Sequence, residues 1–81
     1  MQNAKIEQEL ALIFKESFGL DHINDSTSIF NVAGWDSMAH VSLIMTLQQQ
    51  FNVSIPPADA IELTDIASIK KFLKAKILKR F

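Results

Sequence analysis

A chain of 81 residues with 48% hydrophobic and 21% charged side chains has the balance of one small globular domain and leaves no room for a two-domain enzyme. It contains no cysteine, which excludes disulfide staples, thiolate metal sites and a cysteine nucleophile, so stability must come from packing. The net charge of −1 conceals an asymmetry: nine acids against Lys5 and Lys15 leave residues 1–65 at −7, while Lys70, Lys71, Lys74, Lys76, Lys79 and Arg80 give the last sixteen residues +6.

The opening residues Met1 to Lys5 lack the basic stretch and apolar run of a secretory signal. No apolar stretch approaches the roughly 18 residues of a membrane span, so the expected location is the cytoplasm. Ile6, Leu10, Ile13, Phe14 and Phe18 recur at three- and four-residue steps and predict a first helix over residues 4–18. Gly19 suits the left-handed position that ends a helix, with Leu20 folding back onto the last turn. Residues 21–35 hold Asp, Asn, Ser, Thr and Gly without a sustained period and predict a long loop. Ile23, Ile29, Phe30 and Val32 are the expected pins of that loop, with a short helical turn near Ser28 to Phe30.

Helical spacing returns from Ser37 to Phe51, with Met38, Val41, Ile44, Met45, Leu47 and Phe51 on a broad stripe and Ala39, Ser42, Thr46 and Gln49 opposite. Asp36 stands at the N-cap. Asn52 to Ile55 is too short to build a sheet and predicts an extended connector. Pro57 suits the first position of a short helix reaching about Ile61. Asp65 caps a last helix that carries Ile66, Ile69, Phe72, Leu73 and Ile77, with lysines on its other face and in its C-terminal turns, where cations suit the macrodipole. The expected architecture is an all-α fold, a small antiparallel bundle of three principal helices plus one short helix in a single domain over residues 1–81.

Most chemistry is excluded by spacing. Asp36, Ser37 and His40 carry the residue types of a hydrolase triad, but an acid that caps the same helix end is badly placed to orient His40, and the glycine-flanked serine elbow is missing. His22 and His40 lie eighteen positions apart with no ligand partners at metal spacing. Gly19 and Gly34 are the only glycines, too few for a phosphate loop. The lysines of the last helix fall where a solvated face and a favourable C-terminus put them, and the body is acidic, so nucleic acid is not an expected partner. What remains is Gly34-Trp35-Asp36-Ser37-Met38, a hydroxyl in the first turn of a helix behind a long loop. That setting favours a phosphate on or beside Ser37, although from the local sequence alone an ordinary helix start is the favoured reading.

Gly34-x-Asp36-Ser37-Met38 is similar to the attachment motif of the acyl carrier proteins, the phosphopantetheine-carrying domains of fatty acid, polyketide and nonribosomal peptide assembly. The likeness continues through Val41-x-Leu43-Ile44-Met45-x-Leu47 and Phe51-x-Val53-x-Ile55-Pro56 to Ile66 and Ile69. The resemblance implies a carrier with no catalytic activity of its own. A phosphopantetheinyl transferase would attach 4'-phosphopantetheine from coenzyme A to Ser37, and the arm's thiol would hold an acyl or aminoacyl group as a thioester. It also implies that Asp36 caps the helix and marks the site for the transferase. Met38, Val41 and Met45 would form the patch touched by acyl-loading and acyl-transfer enzymes, with the helical spacing leaving a core position for Val41 equally open. A monomer without nucleic-acid or membrane contacts is expected.

One departure bears on the pathway: after Asp36 the second helix holds no acid, where carriers of fatty acid synthesis commonly present acids to basic partners. Charge steering on this face should be weak, which points to a specialised pathway such as polyketide, peptide or modified-lipid assembly. His40 is expected to be exposed, the alternative being a place beside the arm with a pH-dependent charge. The rival reading is a non-covalent helical adaptor that docks its Met38 and Met45 stripe into a partner groove.

Overall fold

A computed structural model describes residues 2–78, with side chains placed over residues 5–77. Lys79 and Arg80, which contribute to the basic tail, lie outside the described residues. Four helices follow in chain order: α1 (Gln2–Phe18), α2 (Ser37–Phe51), α3 (Pro57–Ala60) and α4 (Ile66–Leu78). The all-α expectation holds, and the single strand-like feature among the described residues is an isolated bridge between Ser28 and Asp65.

The three long helices form because their apolar residues share a face. On α1, Ile6, Leu10, Ile13 and Phe14 are all buried, and the helix packs against both α2 and α4. It ends where Gly19 adopts a positive φ of 70° and its N–H reaches the Lys15 carbonyl at 2.8 Å, the left-handed closure that glycine adopts without a Cβ penalty. On α4, Ile66, Ile69 and Leu73 complete the core. Asp65 caps that helix, its Oδ1 accepting from the Ser68 N–H at 2.7 Å.

One expectation about the loop over residues 21–35 needs correction. Phe30 does not pin it: the ring is 91% exposed, whereas Val32 is buried and Ile23 and Ile29 pack against the core. Near Ser28 to Phe30 the chain makes a single hydrogen-bonded turn, the Asn31 N–H donating to the Ser28 carbonyl at 3.1 Å, while its other backbone groups pair with the start of α4. The Ile29 N–H donates to the Thr64 carbonyl and the Ile66 N–H to the Thr27 carbonyl, both at 2.9 Å. Short polar side chains hold the rest of the loop. Asn24 Oδ1 accepts from the Ser26 N–H, and Asn31 Oδ1 accepts from the Ser28 N–H, turns for which such side chains are suited.

The charge asymmetry is also used within the chain. Lys70 Nζ lies 2.8 Å from Asp25 and 3.3 Å from Glu7, joining α4 to the loop and to α1. The hydrogen bond from Asp25 raises Lys70 above the ordinary lysine value of 10.5, with burial opposing and Glu7 adding to the rise.

Two outcomes follow. Leu47→Ala, at a side chain that is fully buried on α2, should lower unfolding stability by about 2–5 kcal/mol in urea denaturation. Lys70→Met should cost less than about 1 kcal/mol at neutral pH, because both carboxylates face solvent. A raised lysine stabilises the fold below its unfolded pKa, so this deficit should vanish in strongly alkaline solution as the pH passes the raised value.

Candidate functional site

The site forms where the long loop enters α2. Gly34 turns the chain with φ of 89°. A Cβ there would meet nothing within 4 Å, so the constraint on this position is the backbone conformation and not space. The turn sends Trp35 inward, where it is 3% exposed. Its ring meets Phe14 edge-on at 5.2 Å and stacks on Phe18 at 5.6 Å.

With Trp35 anchored, Asp36 falls at the N-cap in an extended conformation. Its Oδ1 accepts from the Ala39 N–H at 2.9 Å, and its carbonyl accepts from the His40 N–H at 2.8 Å. Ser37 is the first residue of α2 and is exposed. Among the described residues no group hydrogen-bonds its hydroxyl. The N–H groups of Ser37 and Met38 precede the first intrahelical acceptor, so the positive end of the helix is presented beside that hydroxyl.

His40 is not the exposed residue expected from the sequence. It is half-buried, and both ring nitrogens are engaged: Nδ1 accepts from Trp35 Nε1 at 3.0 Å, and Nε2 lies 2.8 Å from the Ala60 carbonyl. Trp35 and Ala60 arrive from a loop and from a third helix, contacts that no periodicity in the sequence could show. The arrangement also leaves no ring nitrogen free to take a proton from Ser37, which removes the hydrolase reading on geometric grounds.

The apolar stripe of α2 divides into two faces. Leu43, Ile44, Leu47 and Phe51 are buried, whereas Met38, Val41 and Met45 are 83%, 60% and 56% exposed. Val41 is therefore a surface residue, which decides the alternative left open above. Leu43, absent from the predicted stripe, is core, on one row with the buried Leu47 and Phe51 that follow it at four-residue steps. The exposed face borders an apolar groove of about 340 Å³ between α2 and α3, lined by Val41, Ile44, Met45, Ile55, Pro57 and Ile61, with His40 and Ala60 at its wall. Ile61, 74% exposed, was not singled out in the sequence; the short-helix signal at Pro57 could have placed it opposite Val41.

Residues 8–73 match the model of a family described as the phosphopantetheine attachment site. The chain is also 29% identical over 73 residues to the acyl carrier protein of Chlamydia caviae, an alignment covering 88% of this chain and 95% of that protein.

The cap makes a measurable claim. Asp36→Ala should destabilise the protein by about 0.5–2 kcal/mol, while Asp36→Asn, whose amide oxygen can accept the same Ala39 N–H, should retain most of the stability. Equal losses in the two variants under urea denaturation would locate the contribution in the charge and not in the cap.

Proposed function

The chain belongs to the acyl carrier protein family, which is built around a covalently attached phosphopantetheine, and from that premise we propose that Ser37 is the residue that bears the group. The observation that carries the reading is the exposed, unengaged Ser37 hydroxyl at the capped start of α2. The residues present fit a phosphodiester. The helix N-terminus favours an anion, and the Asp36 carboxylate is turned onto the Ala39 N–H, which ties its charge to the helix end. When bound, the group supplies a terminal thiol that holds an acyl or aminoacyl cargo as a thioester, which accounts for thioester chemistry in a chain without cysteine.

In this reading a phosphopantetheinyl transferase loads Ser37 from coenzyme A, and Asp36 holds the helix start in the form that the transferase recognises. Met38, Val41 and Met45, exposed within three turns of Ser37, form the surface that acyl-loading and acyl-transfer enzymes touch. Residues 1–81 act as one carrier domain, monomeric and cytoplasmic, whose chemistry is done by its partners. No acid follows Asp36 on α2, so association on this face rests on apolar contact more than on charge steering. That supports a dedicated carrier of a specialised pathway over a fatty acid carrier that addresses basic partner surfaces.

Intact-mass measurement after incubation with coenzyme A and a permissive transferase should show one added phosphopantetheine, mapped to the peptide containing Ser37. Ser37→Ala should gain none and should lose all carrier function, whereas a non-covalent adaptor would be indifferent to the change. Modification at another residue would overturn the assignment. For the pathway, turnover with the cognate acyl-loading enzyme should vary little with ionic strength; a steep fall with added salt would indicate charge steering.

A further inference from the structure

His40 lies where three parts of the fold meet. Trp35, its donor, is wedged against Phe14 and Phe18 of α1; His40 itself stands one turn from Ser37; Ala60, its other partner, is the last residue of α3. Helix α3 has only four residues and none of them is buried, so little packing of its own fixes it beside α2. We propose that His40 is a positioning residue of the carrier site: as a neutral imidazole protonated on Nε2 it ties the Ser37 end of α2 to both Trp35 and α3, and protonation at Nδ1 releases the Trp35 half of the tie. The consequence for loading rests on the reading of Ser37 as the carrier residue; the tie itself does not.

The protonation state follows from the partners. Indole Nε1–H is a donor only, and a backbone carbonyl is an acceptor only. At 3.0 Å from Trp35 Nε1, Nδ1 must therefore present its lone pair, and at 2.8 Å from the Ala60 carbonyl, Nε2 must carry the hydrogen. One neutral tautomer satisfies both contacts. The other tautomer, or the cation, sets two N–H groups against each other across the Trp35 contact. The cation keeps, and by its charge strengthens, the bond to Ala60, so acidification separates Trp35 from His40 without freeing α3.

The surroundings of the ring are mostly apolar. Val41, Ile44, Met45, Ile55, Pro57 and Ile61 line the groove beside it, and none titrates. On the loop and α1 side it meets Trp35, backed by Phe14 and Phe18, while Lys15 and Glu16 of α1 are exposed. The carboxylates nearest in sequence to its contacts are Asp36, engaged with the Ala39 N–H at the cap of the same helix, and Asp59 beside Ala60 on α3, with Glu62 exposed in the turn that follows.

Trp35 is the only tryptophan, so its fluorescence and its indole N–H resonance report on the tie without any arm attached. In the full chain before loading, both signals should change together on acidification, as Nδ1 takes a proton and the contact with the indole N–H is lost. His40→Gln, whose amide can accept from Trp35 and donate to Ala60 but does not titrate, should give flat signals near the parent's neutral values. Trp35→Phe, which keeps a ring but lacks the donor, should make loading insensitive to the state of His40. With coenzyme A and a transferase, His40→Ala should lower the kcat/KM for modification of Ser37 about five- to tenfold, the scale of one or two lost hydrogen bonds. His40→Gln should restore most of it, and the ratio of parent to His40→Gln should fall in acid. Circular dichroism confirms that the variants compared are folded; if His40→Ala is not, His40→Gln and Trp35→Phe decide the matter. Trp35 signals in the parent that are flat with pH, or that titrate identically in His40→Gln, would overturn the proposal, as would equal loading of folded His40→Ala and parent. Failure of the parent to gain the group at Ser37 would overturn the carrier assignment instead, leaving the Trp35 titration to judge the tie.

Discussion

The position of Ser37 depends on the burial of Trp35. A connection of eighteen residues, 19–36, separates α1 from α2, and a chain of that length has no intrinsic reason to deliver a helix start to one place. The indole removes that freedom: it is buried against Phe14 and Phe18, aromatic contacts of about 0.5–1.5 kcal/mol each beyond the area they hide. Once the ring is held, Asp36 and Ser37 follow within two residues, and the backbone has only to turn through Gly34. The cap, the exposed hydroxyl and the free amides are thus consequences of one apolar contact between the loop and the first helix.

The same contact explains why the polar part of the site can be so small. In a domain of this size net stability is expected to be a few kcal/mol, and a buried unpaired polar group would remove about 1–3 of them. Trp35 brings an N–H into the interior, and His40 accepts it. His40 brings a second N–H, and the end of α3 accepts that. The chain of donors ends on a carbonyl, and among the described residues no buried side-chain nitrogen or oxygen lacks a partner. Elsewhere polar contacts stay near the surface, as with Lys70 between Asp25 and Glu7, where imperfect pairing costs little.

How much of this was legible in the sequence depends on the range of the interaction. Helix α2 was placed at its observed ends, because Asp36 acts on a backbone N–H three residues away and the apolar spacing is local. Gly19, Pro57 and Asp65 were read correctly for the same reason. Most of the errors involve partners distant in the chain. Phe30 was assigned to the interior on its composition, but the backbone pairing of Ile29 with Thr64 leaves the next side chain facing solvent. His40 was assigned to the surface because Ala60 is twenty residues away. The stripe on α2 was read as one face because a helix with apolar residues on two sides has no distinct period. Trp35, the only aromatic residue other than phenylalanine, was not placed in the core. The indole next to a capping pair was a signal, since a ring of that size rarely stays in water beside a helix start.

The divided stripe on α2 also separates what holds the fold from what the fold offers. Burying a side chain of the size of Met, Val or Ile contributes about 1.5–3 kcal/mol, and a chain of 81 residues has few such groups to spare. Yet Met38, Val41, Met45 and Ile61 remain in solvent, the last three around a single groove, while Leu43, Ile44, Leu47 and Phe51 suffice for the core side of the helix. Contiguous apolar surface left open in so small a protein is the ordinary mark of an interaction site. Its edge lies one turn from Ser37, and its far wall is α3, the helix held by His40. The width of the groove therefore depends on the same imidazole that is bonded to the tryptophan fixing Ser37, so a partner that reads the apolar face reads it in register with the hydroxyl.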